Sequence, residues 1–144
     1  MEYFEDVTVG DAATVGEYEV TAAEIVEFAE RYDPQEIHTD ERAAADSEFG
    51  GLIASGWHTA AMTMRLLVED YYEDRAALAA TGVDELRFLE PVRPGDVLAA
   101  EVEVRETEPW DEDRGLVRSA VRTTAGDETV LTMEPLVLWE RRDT

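Results

Sequence analysis

Four stretches in the C-terminal half of the chain alternate apolar and polar residues, at positions 86–89, 97–104, 116–124 and 129–139. A period of two residues is typical of β-strands that bury one face, and the Pro, Gly and Asp residues between the stretches predict turns. Strands joined by such turns can pair antiparallel. We therefore predict an antiparallel sheet with one face packed against a helix.

The N-terminal half shows helical spacing. Residues 21–32 carry apolar side chains three and four positions apart, behind a Thr-Ala-Ala-Glu capping box. Pro34 disfavours helical backbone at Asp33, so this helix should end there and leave Asp33 in a turn. A second, short helix is predicted over residues 39–45, with Thr39 as its cap.

The most apolar helix is predicted to begin at Ser55 or Gly56 and to run to about Tyr72. It is apolar on most sides, which is typical of a helix enclosed by other structure. Ahead of the helices, residues 4–18 predict an extended segment with an edge strand. Together these elements predict an α+β fold in one domain that spans residues 1–144.

The composition fits a folded domain and narrows the function. The 144 residues are 44% hydrophobic, and no apolar run approaches the roughly 20 residues that span a bilayer. The N-terminus lacks the basic flank of a signal peptide, so we predict a cytoplasmic protein with no membrane partner. With no cysteine and two histidines, the chain offers little for a zinc site, and we predict neither a metal nor a cofactor.

The charge of the chain is strongly negative. Arginine supplies all 12 basic residues, and 35 Asp and Glu residues bring the formal net charge to −23. Such a surface repels nucleic acid, so we predict no nucleic-acid partner. Abundant carboxylates without lysine resemble the surfaces of cytoplasmic proteins from salt-accumulating organisms, where molar salt shortens the Debye length to about 3 Å and screens the repulsion.

Candidate acid/base chemistry is concentrated after the first helix. Asp33 and His38 lie at its end, and residues 50–57 add three glycines and the start of the apolar helix. A carboxylate, an imidazole and free backbone N–H groups are parts from which acid/base catalysis can be built. The sequence therefore singles out this region as the candidate site.

Each of these residues also has a plainer interpretation. Asp33 before a proline could be only a turn residue, and its spacing alone favours that interpretation. His38 could be a hydrogen-bonded histidine beside a helix, and the glycines could simply end and start helices. His58, in the first turn of the apolar helix, has no motif behind it and is interpreted as structural.

Two longer segments carry a more specific resemblance. Residues 28–40, Phe-Ala-Glu-Arg-Tyr-Asp-Pro-Gln-Glu-Ile-His-Thr-Asp, and residues 49–59, Phe-Gly-Gly-Leu-Ile-Ala-Ser-Gly-Trp-His-Thr, resemble the MaoC-like dehydratases, which include the (R)-specific enoyl-CoA hydratases. The Val-Arg-Pro-Gly-Asp turn at residues 92–96 is similar to a turn between strands in that family. The resemblance implies a hot dog fold, in which an antiparallel sheet wraps around one buried helix.

The resemblance also implies an activity, the reversible addition of water to a 2-enoyl-CoA thioester. Asp33 and His38 keep the family's five-residue spacing and would hold the water and move its protons. Gly56 falls where the family presents a backbone N–H to the thioester carbonyl, which stabilises the enolate that develops.

The chain departs from the family's motif between its two catalytic positions. The usual Asp-x-Asn-Pro-(Leu/Ile)-His becomes Asp-Pro-Gln-Glu-Ile-His, so Gln35 replaces the asparagine. An amide at this position can still orient the loop or a water molecule. Gln35 is therefore a predicted substrate-binding residue, together with Ser55 and Trp57, which flank Gly56.

The resemblance further implies a homodimer, since hot dog protomers commonly pair sheet edge to sheet edge, with the thioester tunnel near that interface. The phosphates of CoA would need cations, and four arginines are candidates without motif support: Arg87, Arg93, Arg118 and Arg122.

Two rival functions stay open. A hot dog thioesterase would hydrolyse the thioester with a single carboxylate. A non-catalytic acyl-binding protein would keep the tunnel without placing Asp33 beside His38.

Overall fold

The computed structural model describes residues 1–142 and contains five strands and four α-helices. In chain order the strands are β1 (Ala12–Glu19), β2 (Ala77–Phe88), β3 (Val97–Pro109), β4 (Arg114–Ala125) and β5 (Glu128–Glu140). All pair antiparallel in one sheet, in the order β1-β3-β4-β5-β2. The helices lie between β1 and β2 and are α1 (Ala22–Tyr32), α2 (Glu36–Thr39), α3 (Glu41–Ala45) and α4 (Gly56–Asp70). The predicted α+β class and antiparallel sheet are confirmed.

The core lies between α4 and one face of the sheet. Alternate residues of β3 are buried, as the period of two predicts, and Leu98 and Val102 pack in the same cluster as Met62, Leu66 and Leu67 of α4. Burying a side chain of this size contributes about 1.5–3 kcal/mol relative to leaving it in water. This packing fixes α4, and therefore its N-terminus, against the sheet.

The helix α4 is less enclosed than its sequence predicts. Its core face is buried, but Trp57 is 60% exposed and Val68 is also exposed. The sheet covers only one side of α4, and α1 packs on part of the other. Within residues 1–142, none of the helices combines the length and apolar character that crossing a bilayer would require.

Helix α1 begins after Thr21 and ends before Asp33, at the residues that the sequence predicts. The Thr21 side chain accepts a hydrogen bond from the Glu24 N–H at 3.2 Å, and the last helical residue is Tyr32. Asp33 leaves the helical conformation, with φ −154° and ψ 68°, as expected before Pro34. The carboxylate therefore lies at a sharp break in the chain.

The predicted cap of the short helix was wrong by one residue. Thr39 ends α2, and its hydroxyl donates to the Gln35 carbonyl. The cap of α3 is Asp40, whose Oδ1 accepts hydrogen bonds from the N–H groups of Arg42 and Ala43. Asp and Thr are both common caps, so the sequence alone did not distinguish two adjacent ones.

The strand β2 is much longer than the predicted stretch at residues 86–89, because it begins at Ala77. Three irregularities in its pairing with β5 interrupt the alternation that would reveal it. It forms one edge of the sheet and β1, the predicted edge strand of the N-terminal segment, forms the other.

Candidate active site

The Asp33 carboxylate is held by three side chains. Ser55 Oγ donates a hydrogen bond to Oδ2 at 2.7 Å, and Gln35 Nε2 donates one to Oδ1 at 2.7 Å. His38 Nε2 lies 3.5 Å from Oδ2. The hydrogen bonds from Gln35 and Ser55, more than the nearby His38, keep the pKa of Asp33 below its ordinary value against the opposing effect of desolvation. Asp33 is therefore ionised at neutral pH and lies next to His38.

His38 is buried, and its ring is oriented by the backbone. Its Nδ1 lies 2.7 Å from the carbonyl oxygen of Ile53. Because a carbonyl can only accept, Nδ1 carries the hydrogen of this bond. In the neutral imidazole the lone pair is then on Nε2, the atom that faces Asp33. In its neutral form the ring therefore presents a proton acceptor to the site.

The start of α4 lies beside this pair and leaves a backbone donor free. Ser55 occupies the N-cap position, and its hydroxyl donates to Asp33 and forms no capping hydrogen bond with the helix. Within the described residues the Gly56 N–H has no hydrogen-bond partner. The helix dipole adds partial positive charge at this end, so the Gly56 N–H is suited to an oxyanion.

A cavity of about 300 Å³ joins His38 to the start of α4. Apart from His38, Thr59 and Glu90 its lining is apolar or backbone: Phe49, Ile53, Ala54, Gly56, Phe88, Leu89, Pro91, Val92 and Val130. Asp33 does not line it but lies 3.5 Å from the His38 ring, which does. A mainly apolar cavity with a few polar groups at one end is the usual form of a small-molecule site.

The three predicted substrate-binding residues, Gln35, Ser55 and Trp57, lie near Asp33 or near Gly56 and make different contacts there. Gln35 and Ser55 bind Asp33 directly. The Trp57 ring is largely exposed and lies edge-on to Phe88, with ring centroids 5.7 Å apart. Sequence reasoning missed Phe88, which ends β2 and covers Gly56, and the Ile53 carbonyl, which fixes His38.

His58 lies outside this cavity. Its ring stacks on Phe28 of α1 at a centroid distance of 4.6 Å, and its Nε2 is 3.6 Å from Glu24 Oε1. Burial lowers the pKa of His58, and the Glu24 carboxylate opposes that effect. Its Nδ1 is buried and has no partner within residues 1–142. These contacts join α4 to α1 and support the structural interpretation of His58.

The four candidate arginines do not form a cluster. Arg87 pairs with Glu85 at 3.3 Å, Arg122 with Glu101 at 2.7 Å, and Arg118 with two carboxylates. Arg93 instead donates from Nη2 to the Phe49 carbonyl at 2.6 Å, and no carboxylate within residues 1–142 forms an ion pair with it. Arg93 therefore contacts a residue that lines the cavity, and its guanidinium is unpaired among the carboxylates of the described residues.

The chemistry available at the site is acid/base chemistry. A carboxylate and an imidazole nitrogen can bind one water molecule between them, and a helix N-terminus can bind an oxygen that gains negative charge. Within the described part of the chain, no group of three or more His, Asp and Glu side chains is arranged to hold a metal ion.

Comparison with known proteins gives consistent results. Residues 7–126 match the family model described as a MaoC like domain. The chain is 36% identical over 136 residues to the 3-hydroxybutyryl-CoA dehydratase of Methylorubrum extorquens, covering 94% of this chain and 82% of that protein. Among solved structures, the MaoC-like dehydratase from Rhodospirillum rubrum has a TM-score of 0.88 at 41% identity, with 99% of both chains covered. The (R)-hydratase from A. caviae involved in PHA biosynthesis has a TM-score of 0.71 at 28% identity, covering 92% of this chain and 97% of that one.

Proposed function

The chain belongs to the MaoC-like dehydratase family and has its hot dog fold, and from that premise we propose that it catalyses the reversible addition of water to a 2-enoyl-CoA. The observation that carries the proposal is the position of His38. Its Nε2 lies 3.5 Å from Asp33, and the ring shares a cavity with Gly56, whose N–H is free. His38 and an oxyanion donor thus line one small space, and Asp33 lies next to the His38 ring.

The proposed proton transfers follow from the different environments of Asp33 and His38. Asp33, with its lowered pKa, is a weak base and accepts a hydrogen bond from the water. The water oxygen bonds to the β-carbon of the enoyl group while His38 Nε2 takes a proton from it. The same nitrogen then delivers a proton to the α-carbon, which restores neutral His38 and completes the addition. Meanwhile the charge of Asp33 stabilises the transient imidazolium.

The Gly56 N–H stabilises the enolate that forms on the thioester oxygen in this scheme. The donor is fixed at the first residue of a 15-residue helix, so it needs no reorganisation when the charge appears. Loss of one such donor in other enzymes costs about 2.7–4 kcal/mol of transition-state stabilisation.

Among the predicted substrate-binding residues, Gln35 and Ser55 act through Asp33. The hydroxyl of Ser55 has one hydrogen, and that hydrogen is used in the bond to Asp33 Oδ2. Gln35 holds the other carboxylate oxygen. Both are therefore proposed to position Asp33, and the exposed Trp57 is left as the substrate-contacting residue of the three.

Of the candidate arginines, Arg93 is proposed to bind the phosphates of CoA. The other three are already neutralised by carboxylates, whereas Arg93 is bound to a backbone carbonyl beside the cavity. A guanidinium in this state retains N–H groups for a phosphate oxygen.

The active form is proposed to be a homodimer paired along β2. This strand is at the edge of the sheet, is 12 residues long, and exposes apolar side chains such as Leu78 and Val83. An exposed edge with apolar residues is suited to pairing with another strand.

The test is turnover of crotonyl-CoA by the purified protein in molar KCl. Loss of the conjugated enoyl absorbance reports hydration, and a thiol reagent reports release of free CoA. Hydration without thiol release is the expected result, and His38→Ala should reduce its rate by roughly 10²–10⁴-fold. Thiol release would indicate the thioesterase, and tight binding with neither product would indicate an acyl-binding protein.

A further inference from the structure

The Phe88 side chain lies directly on Gly56. A methyl group added at the Gly56 Cα would overlap the atoms of the Phe88 ring. Glycine is therefore required here for close packing, whether or not its N–H binds an oxyanion. The aromatic ring is thus held against the same residue that is proposed to bind the thioester.

A β-bulge in β2 turns Phe88 toward this position. Between the pairs Asp84–Glu134 and Arg87–Thr132, β2 advances by three residues while β5 advances by two. One extra residue in a strand reverses the face on which all later side chains lie. Without the bulge, Phe88 would share the outer face with Asp84.

Beyond the bulge, Phe88 lies opposite Leu131, which is completely buried on the helix-facing side of the sheet. Directly opposed residues of antiparallel strands share a face, so Phe88 faces inward and its neighbour Arg87 faces outward. Without the bulge, Arg87 would face inward at this end of β2. With the bulge, the aromatic ring of Phe88 faces inward instead and lies next to Gly56.

The bulge contains an unusual backbone conformation. Glu85 has φ 52°, the only positive φ at a non-glycine residue among those described. Residues with a side chain rarely adopt this left-handed conformation, and such outliers concentrate at functional sites. This unfavourable conformation occurs three residues before Phe88, inside the bulge that turns Phe88 inward.

We propose that Phe88 is a specificity-determining residue that restricts the site to short 2-enoyl chains such as crotonyl. The proposal rests on the hydratase function. The cavity holding His38 and Gly56 is about 300 Å³, at the low end of the range for small-molecule pockets. Phe88 forms the wall next to the thioester position, and although half exposed it is fixed by Gly56 and the edge of Trp57. A longer chain would have to displace this ring.

The experiment compares kcat/KM for crotonyl-CoA and trans-2-octenoyl-CoA in the wild type and in Phe88→Ala. One methylene too many in an apolar pocket is discriminated by roughly 10–200-fold, so the wild type should strongly prefer crotonyl-CoA. Phe88→Ala should raise the octenoyl-to-crotonyl ratio by at least about tenfold. Phe88→Leu, which retains most of the bulk, should raise it less.

Arg87→Ala is the matched control, since Arg87 is adjacent but faces outward. Both substrates carry the same CoA, so any effect on CoA binding cancels in the ratio, which should stay unchanged. Circular dichroism in the same salt verifies that each variant is folded. Should Phe88→Ala not fold, Phe88→Leu still has to change the ratio.

The two proposals fail in different ways. If the wild type hydrates neither thioester, the hydratase function fails and the role of Phe88 falls with it. If the wild type hydrates both equally well, or if neither Phe88 variant changes the ratio, the hydratase function stands and the assignment of Phe88 is overturned.

Discussion

At the scale of residues, the site depends on which donors surround Asp33. Gln35 and Ser55 each donate to one of its oxygens, and His38 approaches the oxygen that Ser55 binds. Hydrogen bonds to the charged form lower the pKa of a carboxyl, so these donors keep Asp33 ionised and weakly basic. The departure from the family motif at Gln35 therefore retains an amide that contacts the Asp33 carboxylate.

This arrangement predicts a pH effect. Gln35→Met removes the donor to Oδ1, the largest contribution to the lowered pKa, so the pKa of Asp33 should rise toward its ordinary value. The carbon-13 resonance of the Asp33 carboxyl, followed through a pH titration, should therefore have its midpoint at higher pH in Gln35→Met than in the wild type.

Thr39→Val serves as the control for this measurement. Its hydroxyl binds the Gln35 backbone carbonyl and does not contact Asp33. The titration of Asp33 in Thr39→Val should match that in the wild type. An unmoved midpoint in Gln35→Met would show that the Gln35 amide does not lower the pKa of Asp33.

The residue-level outcome shows what sequence spacing can and cannot give. The pair of Asp33 and His38 was predicted from the family resemblance together with their five-residue spacing, and the end of α1 and a short turn bring the two side chains together. The Ile53 carbonyl could not be predicted, since any residue type supplies one. Phe88 was missed because its direction depends on the conformation of Glu85, for which Glu is not a typical residue.

At the scale of elements, β2 is the strand whose observed bounds differ most from the sequence prediction. Both the position of Phe88 and the proposed dimer edge depend on it. Its residues 77–85 lack the regular alternation on which strand prediction depends, and its bulges account for that lack. The same strand ends at Phe88 and provides a sheet edge. The strands β4 and β5 were predicted to within two residues at each end, because one face of each is buried along most of its length. The strand β3 extends five residues beyond the predicted end at Val104, into a segment with no buried residue.

The edge of β2 supports a prediction about assembly. Sedimentation of the wild type in molar KCl should give a mass of about twice 16.1 kDa. Leu78→Lys, which adds a charge to this edge, should shift the equilibrium toward the monomer. Thr14→Lys on β1, at the opposite edge, should leave the dimer intact. A wild-type monomer at assay concentrations, or a loss of the dimer only in Thr14→Lys, would refute pairing along β2.

At the scale of the whole molecule, most of the arginine side chains are paired with carboxylates of the same chain. Within residues 1–142, nine of the twelve arginines form ion pairs with carboxylates. These exposed pairs contribute little individually, about 0–1 kcal/mol each, and the net charge of −23 remains. The surface resembling that of proteins from salt-accumulating organisms stays a prediction from composition. It is the reason to measure activity in high salt, where the repulsion between carboxylates is screened.

The central claim is that Asp33 and His38 act as one unit on one water molecule, and a double-mutant cycle tests it most directly. Crotonyl-CoA hydration should be measured for Asp33→Asn, His38→Gln and the double variant, with folding verified for each. Each single change should lower kcat by roughly 10²–10⁴-fold, and the double variant should be no slower than the slower single variant, because groups that act as a unit are not additive. Single variants with rates near the wild type, or a double variant whose loss equals the product of the two, would contradict the account.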